Sequence, residues 1–145
     1  MHVFWRLKFE PGVLKAVSRR NGQVVLTKEV RTAAQASQIV LVPDRKTINA
    51  DGVDLSFVTV KIVDRNGVVV PLADDLIKFE VSGDGSIAGV DNGNQISHES
   101  FKGKQRKAFH GMALVIVQAK QKAGRIYLKA TSDNLASASV VINAR

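Results

Sequence analysis

The 145-residue chain has no cysteine, only three prolines, one tryptophan and one tyrosine, and aromatic residues make up just 6% of it. The missing cysteine excludes a disulfide framework, thiolate metal sites and thiol catalysis, while leaving the compartment open. No apolar run approaches the roughly 20 residues of a membrane-spanning helix, and the opening Met1-His2-Val3-Phe4-Trp5-Arg6 lacks the pattern of a signal peptide. Apolar residues at helical spacing are almost absent. A complete (β/α)₈ barrel, which takes about 250 residues, does not fit in this length. The chain is still long enough to remove about two-thirds of its unfolded surface from water, so it needs neither metal nor disulfide to fold.

What is abundant is positive charge, +8 overall with a pI near 10.1. It is unevenly spread. Residues 1–35 hold seven Lys/Arg against two acids, and residues 36–145 hold fourteen against eleven. The excess sits in the N-terminal stretch and in one cluster, Lys102, Lys104, Arg106 and Lys107. Neither a recognition helix nor interleaved aromatics accompanies it, so no nucleic-acid partner is expected, and no membrane partner.

Period-two alternation dominates. Ile77, Phe79 and Val81 alternate with Lys78, Glu80 and Ser82; Val58, Val60 and Ile62 alternate with Thr59 and Lys61; Met112–Ala119 is apolar on both faces, as a central strand is. Turn signals separate these runs: Asn21-Gly22, Asp51-Gly52, Asn66-Gly67, Gly83-Asp84-Gly85 and Asp91-Asn92-Gly93-Asn94. Strands are expected near 39–43, 46–50, 55–64, 68–70, 76–82, 86–90, 111–120, 124–132 and 135–143. The fold class is all-β, an immunoglobulin-like sandwich of two antiparallel sheets preceded by a truncated β-hairpin. Phe57 and Phe79 are assigned to strand cores.

Leu14-Lys15-Ala16-Val17-Ser18 matches Leu128-Lys129-Ala130-Thr131-Ser132, and a turn and a β-rich segment follow each copy. If both close a sandwich, the first has only Met1–Pro11 before it and is the end of an earlier domain. Residues 1–35 are then a C-terminal remnant plus linker, with Ala33–Gln38 as the connection, and residues 36–145 the intact domain. The remnant is expected to expose sheet edge and to self-associate.

Residues 91–110 form the longest stretch without alternation. Asp91, Asn92, Gly93 and Asn94 are expected to structure this loop, Phe101 and Phe109 to pin it, and Lys102, Lys104, Arg106 and Lys107 to face a neighbouring domain or a glycan. Trp5 and Tyr127 are the aromatic side chains freest to stack on a sugar ring. His2, His98 and His110 have no metal-ligand spacing, and Asp74-Asp75 reads as a solvated pair, so neither metal nor cofactor is expected.

Trp5–Val17, followed by Asn21-Gly22 and Glu29-Val30-Arg31-Thr32-Ala33, resembles the end of an immunoglobulin-like domain found after the barrel in bacterial family 2 glycoside hydrolases of the β-galactosidase type. The rest resembles the C-terminal domain that follows it, through Ile48-Asn49-Ala50-Asp51-Gly52, Phe79–Gly83, Ile87–Asn94 and Arg106-Lys107-Ala108-Phe109 with Gly111 and Ala113–Gln118. That resemblance implies a parent enzyme, exported, that hydrolyses terminal β-galactosides with two barrel glutamates about 5 Å apart. Neither catalytic motif is present in this chain; its glutamates are Glu10, Glu29, Glu80 and Glu99. No catalytic residue is carried over. The expected role is a non-catalytic accessory domain packing against other domains of the parent, with a carbohydrate-binding module and an invasin-like adhesion module as alternatives.

Overall fold

A computed structural model describes residues 4–145; Met1–Val3, and with them His2, lie outside the described residues. Two compact units divide the chain, one ending at Thr32 and the other running from Ala33 to Arg145.

The first unit is a hairpin of β1 (Val13–Arg20) and β2 (Gln23–Arg31). Asn21 and Gly22 take φ values of 50° and 78°, the left-handed pair that a two-residue turn needs to match strand twist. At the open end Thr32 N donates to Gly12 O at 2.9 Å, and Gly12 N donates to Thr32 Oγ1 at 3.0 Å. Glu29 bonds Arg31 at 2.8 Å and Lys15 at 3.4 Å, and these contacts, Arg31 first, hold its carboxyl below the usual range. Val13, Leu14, Val17, Val24, Val25, Leu26 and Val30 are all exposed.

The second unit is a sandwich. One layer has the order β7 (Gly85–Asp91), β9 (Met112–Ala119), β5 (Leu55–Asp64), β3 (Ala36–Pro43); the other has β11 (Leu135–Ala144), β10 (Gly124–Ser132), β6 (Leu76–Gly83), β8 (Gln105–Lys107). The short β4 (Thr47–Ile48) pairs with β11. A single parallel pair, Ala136 with Gln38, joins the layers at β11 and β3, so all nine strands form one hydrogen-bonded array. At Gly83-Asp84-Gly85 the chain passes from one layer to the other. Gly83 has φ 86°, and a Cβ there would lie 2.1 Å from Arg125 O, so only glycine fits this crossing.

Between the layers lie Ile39, Val58, Val60, Ile62, Val115 and Val117 from one side, and Ile77, Phe79, Ile126, Leu128, Ala130 and Ile142 from the other. Each fully buried aliphatic or Phe side chain contributes about 1.5–3 kcal/mol of transfer free energy. The expected all-β fold and most of the strands are present. Four local expectations need correction. Phe57 is 41% exposed, because it shares its phase with Thr59 and Lys61 and points outward. Residues 68–70 supply only an isolated bridge, Val63 with Val69. Ala36–Gln38, read as linker, already pairs with Asp64 and Val63. The long loop contains an additional strand, β8, paired with Leu76–Lys78.

Asp64 ends β5 and is 1% exposed. Its carboxylate accepts from Ala34 N at 2.9 Å, Asn66 N at 2.8 Å and Val68 N at 2.9 Å, fixing both the start of the unit and the β-turn after β5. These amides, Ala34 first, outweigh desolvation and keep its pKa below the ordinary aspartate value. A depressed carboxylate stabilises the fold above its unfolded pKa and loses that contribution as pH falls through its lower folded value. Asp64→Asn therefore melts below wild type at neutral pH, and the gap begins to close below about pH 4 and vanishes only as pH falls through the lowered folded pKa; thermal denaturation from pH 7 to 2 measures it.

Candidate functional site

The loop that follows β7 is built around one side chain. Arg106, in the middle of β8, pairs with Ile77 and so points into the sandwich while Gln105 and Lys107 point out. Its guanidinium is 0% exposed. Nη1 donates to Glu99 O at 2.9 Å; Nη2 donates to Asn92 Oδ1 at 3.0 Å and to Asp91 Oδ1 at 3.3 Å. Nε has no hydrogen-bond acceptor but lies 3.7 Å from the Glu99 carboxylate, and the ring of Phe101 sits 5.0 Å from the guanidinium carbon. A buried cation needs such a shell, since its desolvation alone costs several kcal/mol.

The partners of Arg106 are themselves tied down. Asp91 Oδ1 accepts from Asn92 N at 2.7 Å and Gly93 N at 3.2 Å; Asn92 Oδ1 accepts from Asn94 N at 3.0 Å, and its Nδ2 donates to Lys107 O at 2.9 Å. Asn94 Oδ1 accepts from Ile96 N at 3.2 Å. Glu99 Oε1 accepts from Lys107 N at 3.0 Å. The loop's carboxylates and amides are thus engaged in its own structure. Arg106 departs from its expected place on a contact surface, because the alternation of β8 turns it inward.

The remaining candidates are dispersed. Lys102 and Lys104 are exposed on the loop, and Lys107 is exposed on the outer side of β8. Tyr127, 46% exposed, stands on the outer side of β10 in the same layer as Lys107. Trp5 is exposed in the segment before β1, within the hairpin unit. Among the described residues no group of three or more His, Asp or Glu side chains could hold a metal ion. Glu10 precedes β1, Glu29 lies on β2, Glu80 on β6 and Glu99 in the loop beside Arg106.

The two outer faces of the sandwich differ in chemistry. On the β7–β9–β5–β3 layer, Phe57 lies opposite Ile116, Thr59 opposite Leu114 and Val42, and Lys61 opposite Met112 and Val40. Phe57, Val42 and Met112 are 40–43% exposed and the other three apolar residues half-buried, leaving Lys61 as the charge in their midst. Beside the loop this face opens into a hollow of about 380 Å³ bordered by Phe109, His110, Met112 and Leu114. On the β11–β10–β6–β8 layer, rows Ser82–Tyr127–Val141 and Glu80–Lys129–Ser139 line an open groove of about 470 Å³. Residue type alone hides this apolar face, although the phase of Phe57 with Lys61 places Phe57 on it.

Removing the Arg106 guanidinium leaves two carboxylates facing a cavity. Arg106→Ala is expected to lose about 3 kcal/mol of stability in urea unfolding, and to raise amide exchange across residues 91–104 before the core strands respond. Arg106→Lys keeps the charge without the fork and falls between.

Comparison with known proteins places this architecture. Residues 39–141 match the family Glycoside hydrolase family 2 C-terminal domain 5. The beta-galactosidase BoGH2A of Bacteroides ovatus is 50% identical over 144 residues, 99% of this chain and 17% of that enzyme. A beta-galactosidase of Thermoanaerobacter pseudethanolicus is 30% identical over 128 residues, 88% of this chain and 16% of the relative. A crystal structure of a glycosyl hydrolase family 2 member from Bacteroides cellulosilyticus superposes with a TM-score of 0.91 at 38% identity, covering 97% of this chain and 18% of that one. The chain thus spans about a sixth of the length of the relatives it matches, and it belongs to the C-terminal domain 5 family of the family 2 glycoside hydrolases.

Proposed function

We propose that the chain serves as a non-catalytic accessory domain of a family 2 glycoside hydrolase acting on β-galactosides, and that it packs against another part of that enzyme through the outer face of the β7–β9–β5–β3 layer. The observation that carries this reading is the apolar face itself. Val40, Val42, Phe57, Met112, Leu114 and Ile116 surround Thr59 and Lys61 on an outer surface where an isolated sandwich would carry mostly polar residues. A contiguous apolar patch on a folded domain marks a contact surface. The relatives supply the occupant in kind: the chain matches 17% of BoGH2A, and the rest of such an enzyme is what a covalently attached domain meets first. The reading also fits the carboxylates, because Glu29, Glu99, Asp54 and Asp64 are spent on structural partners.

The hairpin unit supports the same domain order. Its matched segment and that of β10 each end in a register shift close to the serine, after Ser18 in β1 and before Ser132 in β10. We read residues 13–31 as the closing hairpin of a preceding immunoglobulin-like domain, whose other strands would cover the face that carries Leu14, Leu26 and Val30.

The full-length enzyme tests the docking face. Phe57→Asp and Ile116→Asp, outward positions that leave the core untouched, are expected to release the domain, giving proteolytic cleavage near Thr32–Gln35 and a separate melting transition. A central aromatic anchor is worth about 2 kcal/mol, so the isolated chain should bind the remaining domains roughly thirtyfold more weakly with Phe57→Asp. Unchanged cleavage, melting and affinity in both variants would overturn the docking assignment; Lys129→Gln on the opposite face is the control.

A further inference from the structure

We infer that the groove on the outer face of the β11–β10–β6–β8 layer binds an acidic oligosaccharide, with Tyr127 as the stacking platform, Lys129 as the anion-recognising cation within the groove and Arg125 as a second cation beyond its edge, one outward position further along β10. This site lies on the layer opposite the apolar face and does not rest on the docking reading.

The placement follows from strand phase. Ile126, Leu128 and Ala130 fill the core, so Arg125, Tyr127 and Lys129 project outward from β10 in that order. Outward neighbours on a strand stand about 6.6–6.8 Å apart, so the aromatic ring has a cation on either side along the strand. Cross-strand pairing places Ser82 and Val141 beside Tyr127, and Glu80 and Ser139 beside Lys129. The floor is thus one accessible ring with an apolar flank, bordered by two hydroxyls and one carboxylate. A pyranose fits this set: its C–H face lies on the ring, and its hydroxyls meet Ser82, Ser139 and Glu80.

Charge specifies the class of sugar. The outer positions of this layer carry Lys78, Lys107, Arg125 and Lys129 against Glu80. Lys78 already pairs with Asp133 at 3.4 Å, and no acid of the described residues pairs with Lys107, Arg125 or Lys129. Lys129, opposite Glu80 but not ion-paired to it, and Arg125 and Lys107, whose cross-strand neighbours are uncharged, attract an anion, and Lys107 carries the positive charge on to β8. A polysaccharide bearing carboxylate or sulfate groups on its rings satisfies both the stacking surface and the cations. Single-stranded nucleic acid would need several successive aromatic platforms, whereas the groove has one. A membrane surface would need protruding apolar side chains beside the lysines, and Tyr127 and Val141 instead line a concavity.

The test uses the 145-residue chain and chemical-shift mapping with oligogalacturonate (carboxylate), a chondroitin sulfate oligosaccharide (sulfate), neutral galactan, a 20-nucleotide single-stranded DNA and phosphatidylserine vesicles. The expected result is saturable binding of at least one acidic oligosaccharide, with shifts centred on Tyr127, Lys129 and Ser139, and no comparable binding of galactan. The two acidic arms identify the anion. Tyr127→Ala should weaken affinity roughly tenfold or more while Tyr127→Phe keeps it, and Lys129→Glu, an exposed change that does not threaten folding, should abolish it. Binding should also fall with added salt, and less steeply in Arg125→Gln. The proposal is overturned if neither acidic oligosaccharide binds, if DNA or vesicles bind the same residues equally well, or if a folded Tyr127→Ala chain binds as wild type.

Discussion

A guanidinium wholly removed from water is the constraint on which the second unit's loop depends. Arg106 reaches this position because β8 pairs with β6 in a register that sets it opposite Ile77, and the core cannot tolerate an unpaired charge there. Asp91, Asn92 and the Glu99 carbonyl must therefore come to it, and the 91–104 segment is folded by that requirement rather than by any apolar pattern of its own. The same register turns Lys107 to the outside. One strand register thereby determines both the geometry of the loop and the outward position of Lys107.

The sandwich divides its two outer surfaces by chemistry. A free-standing antiparallel sandwich has mostly polar side chains on both; this one has chiefly polar and basic residues on the β11–β10–β6–β8 side, and Val, Leu, Ile, Phe and Met around Thr59 and Lys61 on the other. The apolar side has no sheet partner to bury it, and water exposure of such rows is unfavourable at about 25 cal/mol per Å². The docking proposed above would remove that cost and leave the basic side in solvent, open to a soluble ligand. The two proposals thus require no surface to serve both purposes.

Much of this was legible in the sequence because two-residue periodicity reports burial directly. β6 and β10 alternate without a break, and Tyr127 could be placed outside from Ile126 and Leu128 alone. Phe57 shows how residue type can mislead: a phenylalanine suggests core, yet its phase with Thr59 and Lys61 fixes it on the surface. Arg106 and β8 were not legible, since three residues Gln-Arg-Lys carry no apolar signal and their strand exists only by pairing with β6. Ala36–Gln38 was hidden for a related reason. Small residues read as linker until Asp64, thirty residues away in sequence from Ala34, supplies the acceptor that anchors them.

The repeated Leu-Lys-Ala-x-Ser segment separates local from tertiary causes. In both copies it forms the first strand of an antiparallel hairpin, with a register shift after Ser18 in one and before Ser132 in the other, so the local sequence is compatible with the same hairpin twice. Burial is another matter: Leu128 is 0% exposed and Leu14 is 55% exposed, although the residue and its strand geometry are the same. The difference is the company of β6 and the opposite layer, which β10 has within its own unit and β1 lacks. A two-stranded hairpin is marginal in water, and among the described residues β1 and β2 are the strands of this unit. Near-identical local sequence with opposite burial of its leucine shows that burial here is set by the strands that pack on the hairpin, not by the hairpin's own residues.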